Sequence, residues 1–251
     1  MSFPTNSTLV TGHRGYIGNN LMRLLPDAEG CDLKDGWDYR DICGHGWKIV
    51  IHLAAYVSVV ESLEKPEDYF GNNWSGLIPF LSRNDIGRIV FVSTGGIYGN
   101  KHLAREKDAS LGDCLSPYTR SKFYAEEEIQ EIHPDHCILR LANVYGGDYS
   151  MRGEAAVHNH FWQDNPIVVY GGDQTRDFIH VDDVCRAIIR AAAGSMVGVF
   201  NIGSGIETSV MDVARQASQE RGVPIETRPK RDGEIDYNSL DCTKARDAGL
   251  L

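Results

Sequence analysis

The sequence predicts an α/β fold: a doubly wound parallel sheet with a smaller C-terminal α/β region. Three observations carry that prediction. A short apolar strand at Ser7–Val10 runs into glycines at 12, 15 and 18 and then into a helix. The runs Ile49–His52, Arg88–Thr94 and His136–Leu141 are largely apolar, as strands buried on both faces are. Helical stretches alternate with these runs, the order that yields parallel strands joined by crossovers.

At 251 residues the chain can bury a full core. No apolar run reaches membrane-spanning length. The start, Met1 to Ser7, lacks a basic segment followed by an apolar one, so neither export nor membrane insertion is expected. Six cysteines (Cys31, Cys43, Cys114, Cys137, Cys185, Cys242) are scattered without a Cys-x-x-Cys pair. They read as reduced thiols of a cytoplasmic protein, not as a disulfide frame or a metal site. The net charge of −10 argues against a nucleic-acid partner. It also requires that any phosphate ligand be held by local arginines and helix N-termini.

In chain order, Thr11 to Gly18 forms a Gly-x-x-Gly-x-x-Gly turn, and Asn19 to Leu25 continues as a helix with Leu21, Leu24 and Leu25 on its apolar face. Such glycines permit a tight turn and close approach of the backbone to a pyrophosphate, the Rossmann arrangement. A bare glycine triplet is equally an ordinary turn; its place between strand and helix decides for the phosphate loop. Asp32 closes the strand Glu29–Asp32, 20 residues after Gly12. A carboxylate there suits adenosine ribose hydroxyls and repels a 2′-phosphate, favouring NAD over NADP. A solvated loop acid is the competing reading, and Lys34 beside it weakens the discrimination. After Asp41 and Ile42 the next strand begins within about six residues, so this connection must be short or irregular.

Pro66 marks the regular start of a helix that contains Asn72 and Asn73. Ser93 and Thr94 end a buried strand and so face a ligand beyond the carboxyl ends of the sheet. Each hydroxyl could instead satisfy nearby backbone. Tyr118 to Ile132 is helical, with Pro117 at an early position and Glu126, Glu127 and Glu128 as a solvated face. Tyr118 and Lys122 share a face of this helix at i and i+4. An ammonium beside a phenol favours the phenolate, a base for an alcohol proton near neutral pH. Taken alone, the pair is an ordinary surface pair. Beyond Gly147 a loop runs to Arg152, then a helix from Glu154 to Gln163 and a strand at Ile167–Tyr170. Asp182 caps a helix at Val184–Ala193. A strand at Val199–Gly203, a helix at Ser209–Arg221 and an edge strand at Ile225–Arg228 follow.

Seven ordered stretches together resemble the extended short-chain dehydrogenase/reductase family, the nucleotide-sugar epimerases and dehydratases. They are Thr11–Gly18, His52–Ala55, Phe91–Gly99, Tyr118–Lys122, Leu139–Gly146, Arg176–Val184 and Phe200–Gly205. The resemblance implies residues 1–146 as an NAD-binding domain, rejoined by about 178–203, and 147–251 as the substrate-binding region. It implies Tyr118 as the base, Lys122 on the nicotinamide ribose and Thr94 as proton relay. It places Gly12, Arg14, Gly15, Tyr16, Ile17, Gly18, Asp32, Asp41, Ile42, Leu53, Ala54, Ala55, Asn73 and Ser93, with Tyr118 and Lys122, at the NAD cofactor. It places Asn143, Arg176, Arg231 and Glu234, with Thr94, at the substrate, and a pocket position near Asn238 as a gate for N-acetyl groups. Asp241 to Ala245 is similar to a late family motif. A homodimer built through helices, the Tyr118 helix among them, is also implied.

The departures are informative. Dehydratases of the family carry Asp-Glu directly after the Thr94 position, and the sugar-acid decarboxylases tend to carry a glutamate at Gly96. Here both positions are glycine. What remains needs only a hydride and one proton, which implies carbon-4 epimerisation of a nucleotide-diphosphate sugar, a UDP-hexose by resemblance. A nucleotide-sugar reductase, dehydratase or decarboxylase is the alternative within enzymes. A non-catalytic NAD-binding regulator is the alternative outside them, and Thr94, Tyr118 and Lys122 would be superfluous in it.

Overall fold

The computed structural model describes residues 7–147, 157–231 and 234–251. The chain runs β1 (Thr8–Thr11), α1 (Tyr16–Met22), β2 (Glu29–Cys31), β3 (Gly46–His52), α2 (Val59–Glu64), α3 (Pro66–Phe70), α4 (Leu77–Arg83), β4 (Asp85–Thr94), β5 (Lys101–Ala104), α5 (Pro117–Ile132) and β6 (His136–Leu141). It continues through β7 (Asn143–Tyr145), α6 (Val157–Phe161), β8 (Ile167–Tyr170), β9 (Thr175–His180), α7 (Val181–Ala193), β10 (Gly198–Ile202), β11 (Glu207–Ser209), α8 (Val210–Arg221), β12 (Ile225–Arg228), β13 (Tyr237–Leu240) and α9 (Thr243–Asp247).

The strand sequences dictate a sheet covered on both faces. Along β4, Ile89 and Phe91 alternate with Val90 and Val92, and all four are buried. Val90 and Val92 join Val10, Ile51, Leu139 and the α7 side chains Val184 and Ile188. Ile89 and Phe91 join Leu9, Val50 and Ile138 with Phe80 of α4 and Ile129 of α5. Parallel strands β10-β6-β4-β3-β1-β2 therefore lie between two helical layers. The order reverses between β1 and β3, the switch point at which such sheets bind ligands. The register sets Thr11 beside His52, His52 beside Phe91, and Thr94 beside Leu141, so the carboxyl ends line one rim.

A second sheet, β11-β9-β13-β5 with β7 on β9, flanks that rim. The pair β8 and β12 packs with α6 and α8 around Phe161, Ile167, Val169 and Val213. Among the described residues no helix is long and apolar enough to cross a membrane.

Several expectations shift. Strand β3 starts at Gly46 and β4 at Asp85, earlier than their apolar runs, because Gly46 pairs with Asp85 at the shared edge. Helix α1 covers Tyr16–Met22, and Leu24 is 53 % exposed, so the apolar face is Leu21 and Leu25. The connection from Asp32 to β3 contains two single 3-10 turns, Leu33–Asp35 and Tyr39–Asp41. The segment after Ala55 divides into α2, α3, a π-helical turn at Gly71–Ser75 and α4. Helix α7 begins at Val181, capped not by Asp182 but by His180, whose Nδ1 accepts the Asp182 amide at 3.2 Å. The loop expected to run from Gly147 to Arg152, and the helix start expected at Glu154, lie largely outside the described residues.

The three glutamates of α5 also part company. Glu127 is exposed, whereas Glu126 is buried and pairs with Arg140 of β6 at 2.6 Å. At 100° per residue, position 126 falls on the sheet-facing stripe with 122 and 129.

Candidate active site

The glycine turn opens onto a cleft of about 810 Å³ at the strand ends. Gly12 has φ +69°, and a Cβ there would stand 2.7 Å from the Ala54 amide nitrogen. A Cβ on Gly18 would collide with the Gly12 carbonyl oxygen. Side chains are thus excluded from both positions, and Gly12, Gly15, Tyr16, Ile17 and Gly18 line the cleft with their backbone close by. Asp32 leaves β2 at the same end, accepting from the amides of Arg14 and Lys34 at 2.9 Å each.

The far end is built by β4 and α5. Helix α5 starts sharply because Ser116 caps it, accepting the Thr119 amide at 3.2 Å, with Pro117 at its first turn. Tyr118 on that first turn is half-buried and lines the cleft together with Thr94. Thr94 Oγ1 accepts the Gly96 amide at 3.1 Å. One turn on, the Lys122 ammonium sits 3.9 Å from the centroid of the Phe91 ring. His52 stacks on that ring from β3, with centroids 5.8 Å apart.

The expected lowering of the phenol pKa is corrected here. Burial pushes Tyr118 up to about 12, and the opposing influence is Thr94, not the lysine. Burial also pulls Lys122 down to about 7, partly offset by Glu126. Spacing of i and i+4 brings the two groups to one face but does not set the balance between charge and desolvation. A stability consequence follows. Between about pH 7 and 10.5 the unfolded chain keeps a proton on Lys122 that the folded chain has lost. Raising pH in that window therefore favours the folded state, by at most about 1.4 kcal/mol per pH unit for one proton. Melting temperatures of wild type and Lys122→Met measured from pH 7 to 9.5 should diverge, with wild type gaining relative to the variant. Parallel curves would contradict the buried, depressed lysine.

On the substrate side, Arg176 of β9 is buried and donates to the carbonyls of Thr175 at 2.8 Å and Ile235 at 2.6 Å. The carboxylate of Glu234 stands 3.8 Å from it, and Glu234 Oε2 is buried without a hydrogen-bond partner among the described residues. Arg231 lies over the ring of Tyr170, 3.6 Å from its centroid. Asn143 lines the cleft from the first residue of β7. Asn238 also lines it, but its amide donates to the carbonyls of Gly95 at 3.2 Å and Gly99 at 3.1 Å, which fixes the turn after Thr94.

Thr94, Tyr118 and Lys122 thus share one cleft with Ser93, Asp32, Leu53, Ala54, Ala55, Asn143, Arg176, Arg231, Glu234 and the glycine-turn residues other than Arg14. Four expected residues do not line it. The Arg14 guanidinium turns to Asp35. Asp41 is exposed, and Ile42 is packed in the core with Trp47 and Phe80. Asn73 instead braces Tyr56, accepting its amide at 2.8 Å and donating to its carbonyl at 2.9 Å, and it donates to Ser121 at 3.0 Å. Trp37, Tyr39 and Asn72 line the cleft in their stead. The Tyr39 hydroxyl donates to the Asn72 carbonyl, which ties the two together. No periodicity or spacing marked these residues.

Residues 8–203 match the model of the NAD dependent epimerase/dehydratase family. The chain belongs to that family and is an NAD-dependent enzyme of it. It is 34 % identical over 258 residues to a Methanocaldococcus jannaschii protein whose provisional name is UDP-glucose 4-epimerase, covering 96 % of this chain and 82 % of that one. It is 29 % identical over 287 residues to the UDP-glucose 4-epimerase of Mycolicibacterium smegmatis, covering 96 % and 91 %. Among solved structures, the Thermotoga maritima UDP-glucose 4-epimerase with UDP-glucose matches with TM-score 0.83 at 26 % identity, covering 96 % of this chain and 92 % of that one. The Thermus thermophilus UDP-glucose 4-epimerase in complex with NAD also matches with TM-score 0.83 at 26 % identity, covering 97 % and 93 %. The cleft fits a dinucleotide on its own terms. Gly12 and Gly18 leave no room for a Cβ, and Ser93 Oγ is buried at the cleft without a hydrogen-bond partner among the described residues.

Proposed function

We propose that the chain interconverts epimers of a nucleotide-diphosphate sugar, a UDP-hexose, at carbon 4 through a transient 4-keto sugar. The observation that carries this reading is that Thr94, Tyr118 and buried Lys122 line one cleft, with Gly95 and Gly96 in place of acids after Thr94. A side chain at either glycine would be crowded. A Cβ at Gly95 would meet Leu240 Cδ2 at 3.0 Å, and one at Gly96 would meet Thr119 Cγ2 at 3.1 Å. Expulsion of water needs an acid and a base there, so a dehydratase is disfavoured.

NAD supplies reversible hydride acceptance at carbon 4 and a positive charge that favours a phenolate. The glycine-turn backbone would bind its diphosphate, Asp32 its adenosine ribose, and Ser93 and Lys122 its nicotinamide end. Tyr118 takes the carbon-4 hydroxyl proton at Oη, directly or through Thr94 Oγ1, and returns it when the alcohol re-forms. Asn143, Arg176 and Arg231, with Glu234, hold the substrate diphosphate while the sugar turns, so the anchor is remote from the reacting carbon. We assign the main sheet, including β10, to the cofactor and the second sheet with the β8–β12 unit to the substrate.

Incubation with NAD and a panel of UDP-hexoses should yield the 4-epimer with no net NADH. A folded, NAD-loaded protein inert toward every UDP-sugar would defeat the assignment. Two smaller proposals accompany it. A homodimer through α5 is supported by half-buried Phe70, Trp74 and Tyr124, the last two stacked at 4.8 Å; a monomer in analytical ultracentrifugation would remove it. A cytoplasmic location is supported by six unpaired cysteines; recovery of the protein in an export fraction would remove that.

A further inference from the structure

Helix α5 carries a third ionisable side chain on the stripe that holds Tyr118 and Lys122. Positions 118, 122 and 126 lie at i, i+4 and i+8, one above another. Glu126 is 1 % exposed. A carboxylate so withdrawn from water is costly unless it is paired and hydrogen-bonded. Arg140 of β6 does both: Nε donates to the two oxygens at 3.2 and 3.0 Å, and Nη2 donates to Oε2 at 2.6 Å. The guanidinium is itself fixed, donating to Tyr98 Oη at 2.8 Å and to the Glu106 carbonyl at 2.7 Å. Tyr98 in turn donates to Asn201 Oδ1 on β10 at 2.6 Å. The carboxylate therefore has one place, held from β6, β10 and the turn after β4.

A core ion pair could serve packing alone. Its position points further. Glu126 stands one helical turn beyond Lys122 on α5, and its charge favours the ammonium. The groups around that ammonium are otherwise poor at stabilising charge. From β4 there is the Phe91 ring. From β3 there is His52, which burial holds neutral and whose Nε2 has no hydrogen-bond partner among the described residues. From α5 there are the Tyr118 phenol and Glu126. Arg140 is engaged by Glu126, Tyr98 and the Glu106 carbonyl, and the Glu106 carboxylate accepts the Asn201 amide.

We propose that Glu126, locked by Arg140, is a positioning residue whose fixed charge, one helical turn from Lys122, raises the fraction of Lys122 that carries a proton near neutral pH and with it turnover. The inference rests on the epimerase reading for its catalytic part, and on the fold alone for the charge of Lys122.

Glu126→Gln alone strands a buried guanidinium, so the informative variant is Glu126→Gln/Arg140→Met, which removes both charges. Lys122 ionisation can be followed by NMR of 13C-labelled lysine ε-methylenes, with the Lys122 signal assigned from its loss in Lys122→Met. In the folded double variant the Lys122 midpoint should fall by about one pH unit or more. Turnover of UDP-hexose at pH 7 should fall about tenfold, with KM within about twofold of wild type. Glu126→Asp, which keeps the pair, should give an intermediate midpoint and partial turnover. An unchanged Lys122 midpoint in a double variant that melts like wild type, or in Glu126→Asp should the double variant not fold, overturns the proposal. If wild type epimerises no UDP-hexose, the functional reading fails, and the Lys122 midpoint still decides the role of Glu126.

Discussion

Tyr118→Phe is expected to lower turnover about 10³-fold while leaving the affinity for NAD, measured by calorimetry, essentially unchanged. The substitution deletes one oxygen and keeps the ring, which packs edge-on against Tyr69 with centroids 6.4 Å apart. What disappears is the proton acceptor that shares the cleft with Thr94. The Tyr118 phenol is pushed up to about 12 by burial, so the free protein carries little phenolate at neutral pH. Since kcat/KM reports the free enzyme, it should climb with pH up to about 7 in wild type and level off above, where Lys122 loses its proton. Tyr118→Phe should flatten that climb. Full turnover in the variant would assign the base to another group.

Asp177→Ala is expected to be the most destabilising single change outside the cleft. Asp177 on β9 is fully buried. Its carboxylate accepts from the Ser204 amide at 2.8 Å, the Ser204 hydroxyl at 2.6 Å, the Gly205 amide at 3.0 Å and the Leu240 amide at 3.3 Å. One side chain thus joins the second sheet to the loop leaving β10. Alanine would leave several buried donors without acceptors, at about 1–3 kcal/mol each before relaxation. A net loss of ~4 kcal/mol would lower Tm by roughly 8–16 °C for a chain of this size. Asp177→Asn, which can still accept but carries no charge, should lose less. Thermal denaturation of the two variants checks both the size and the order.

The parts of the fold legible in the sequence are those set by local chemistry. The glycine turn is such a part, because φ at Gly12 and the space around Gly18 admit nothing else. The buried strands are another, because β4 is apolar on both faces from Ile89 to Val92. The parts that were not legible depend on residues far apart in the chain. Asp41 and Ile42 stand where a cofactor contact was expected, but the two 3-10 turns after Asp32 bring Tyr39 to the cleft instead. That outcome is settled by Asn72, which meets the Tyr39 hydroxyl from 33 residues away. Glu126 looks solvated in a run of three glutamates until Arg140 is placed opposite it. Asn73 and Arg14 keep the expected neighbourhood but turn their side chains to Tyr56 and Asp35. The pairing of Tyr118 with Lys122 was readable as proximity, whereas the direction of their pKa shifts was not, because it depends on how thoroughly the core excludes water.

The late arrival of β10 has a consequence for how the chain is made. Strand β6 ends at Leu141, and the strand that pairs with its outer edge begins at Gly198. At ordinary synthesis speeds that interval lasts roughly 3–11 s. Through it, the nascent sheet presents an apolar strand with unpaired amides and carbonyls, the kind of edge that recruits other chains. Closure also brings the Lys244 ammonium onto the Val199 carbonyl at 2.6 Å and over the Phe200 ring at 4.4 Å. The main sheet of this protein is therefore discontinuous in the chain. Its first 141 residues lack the edge strand of their sheet until the distal segment has left the ribosome.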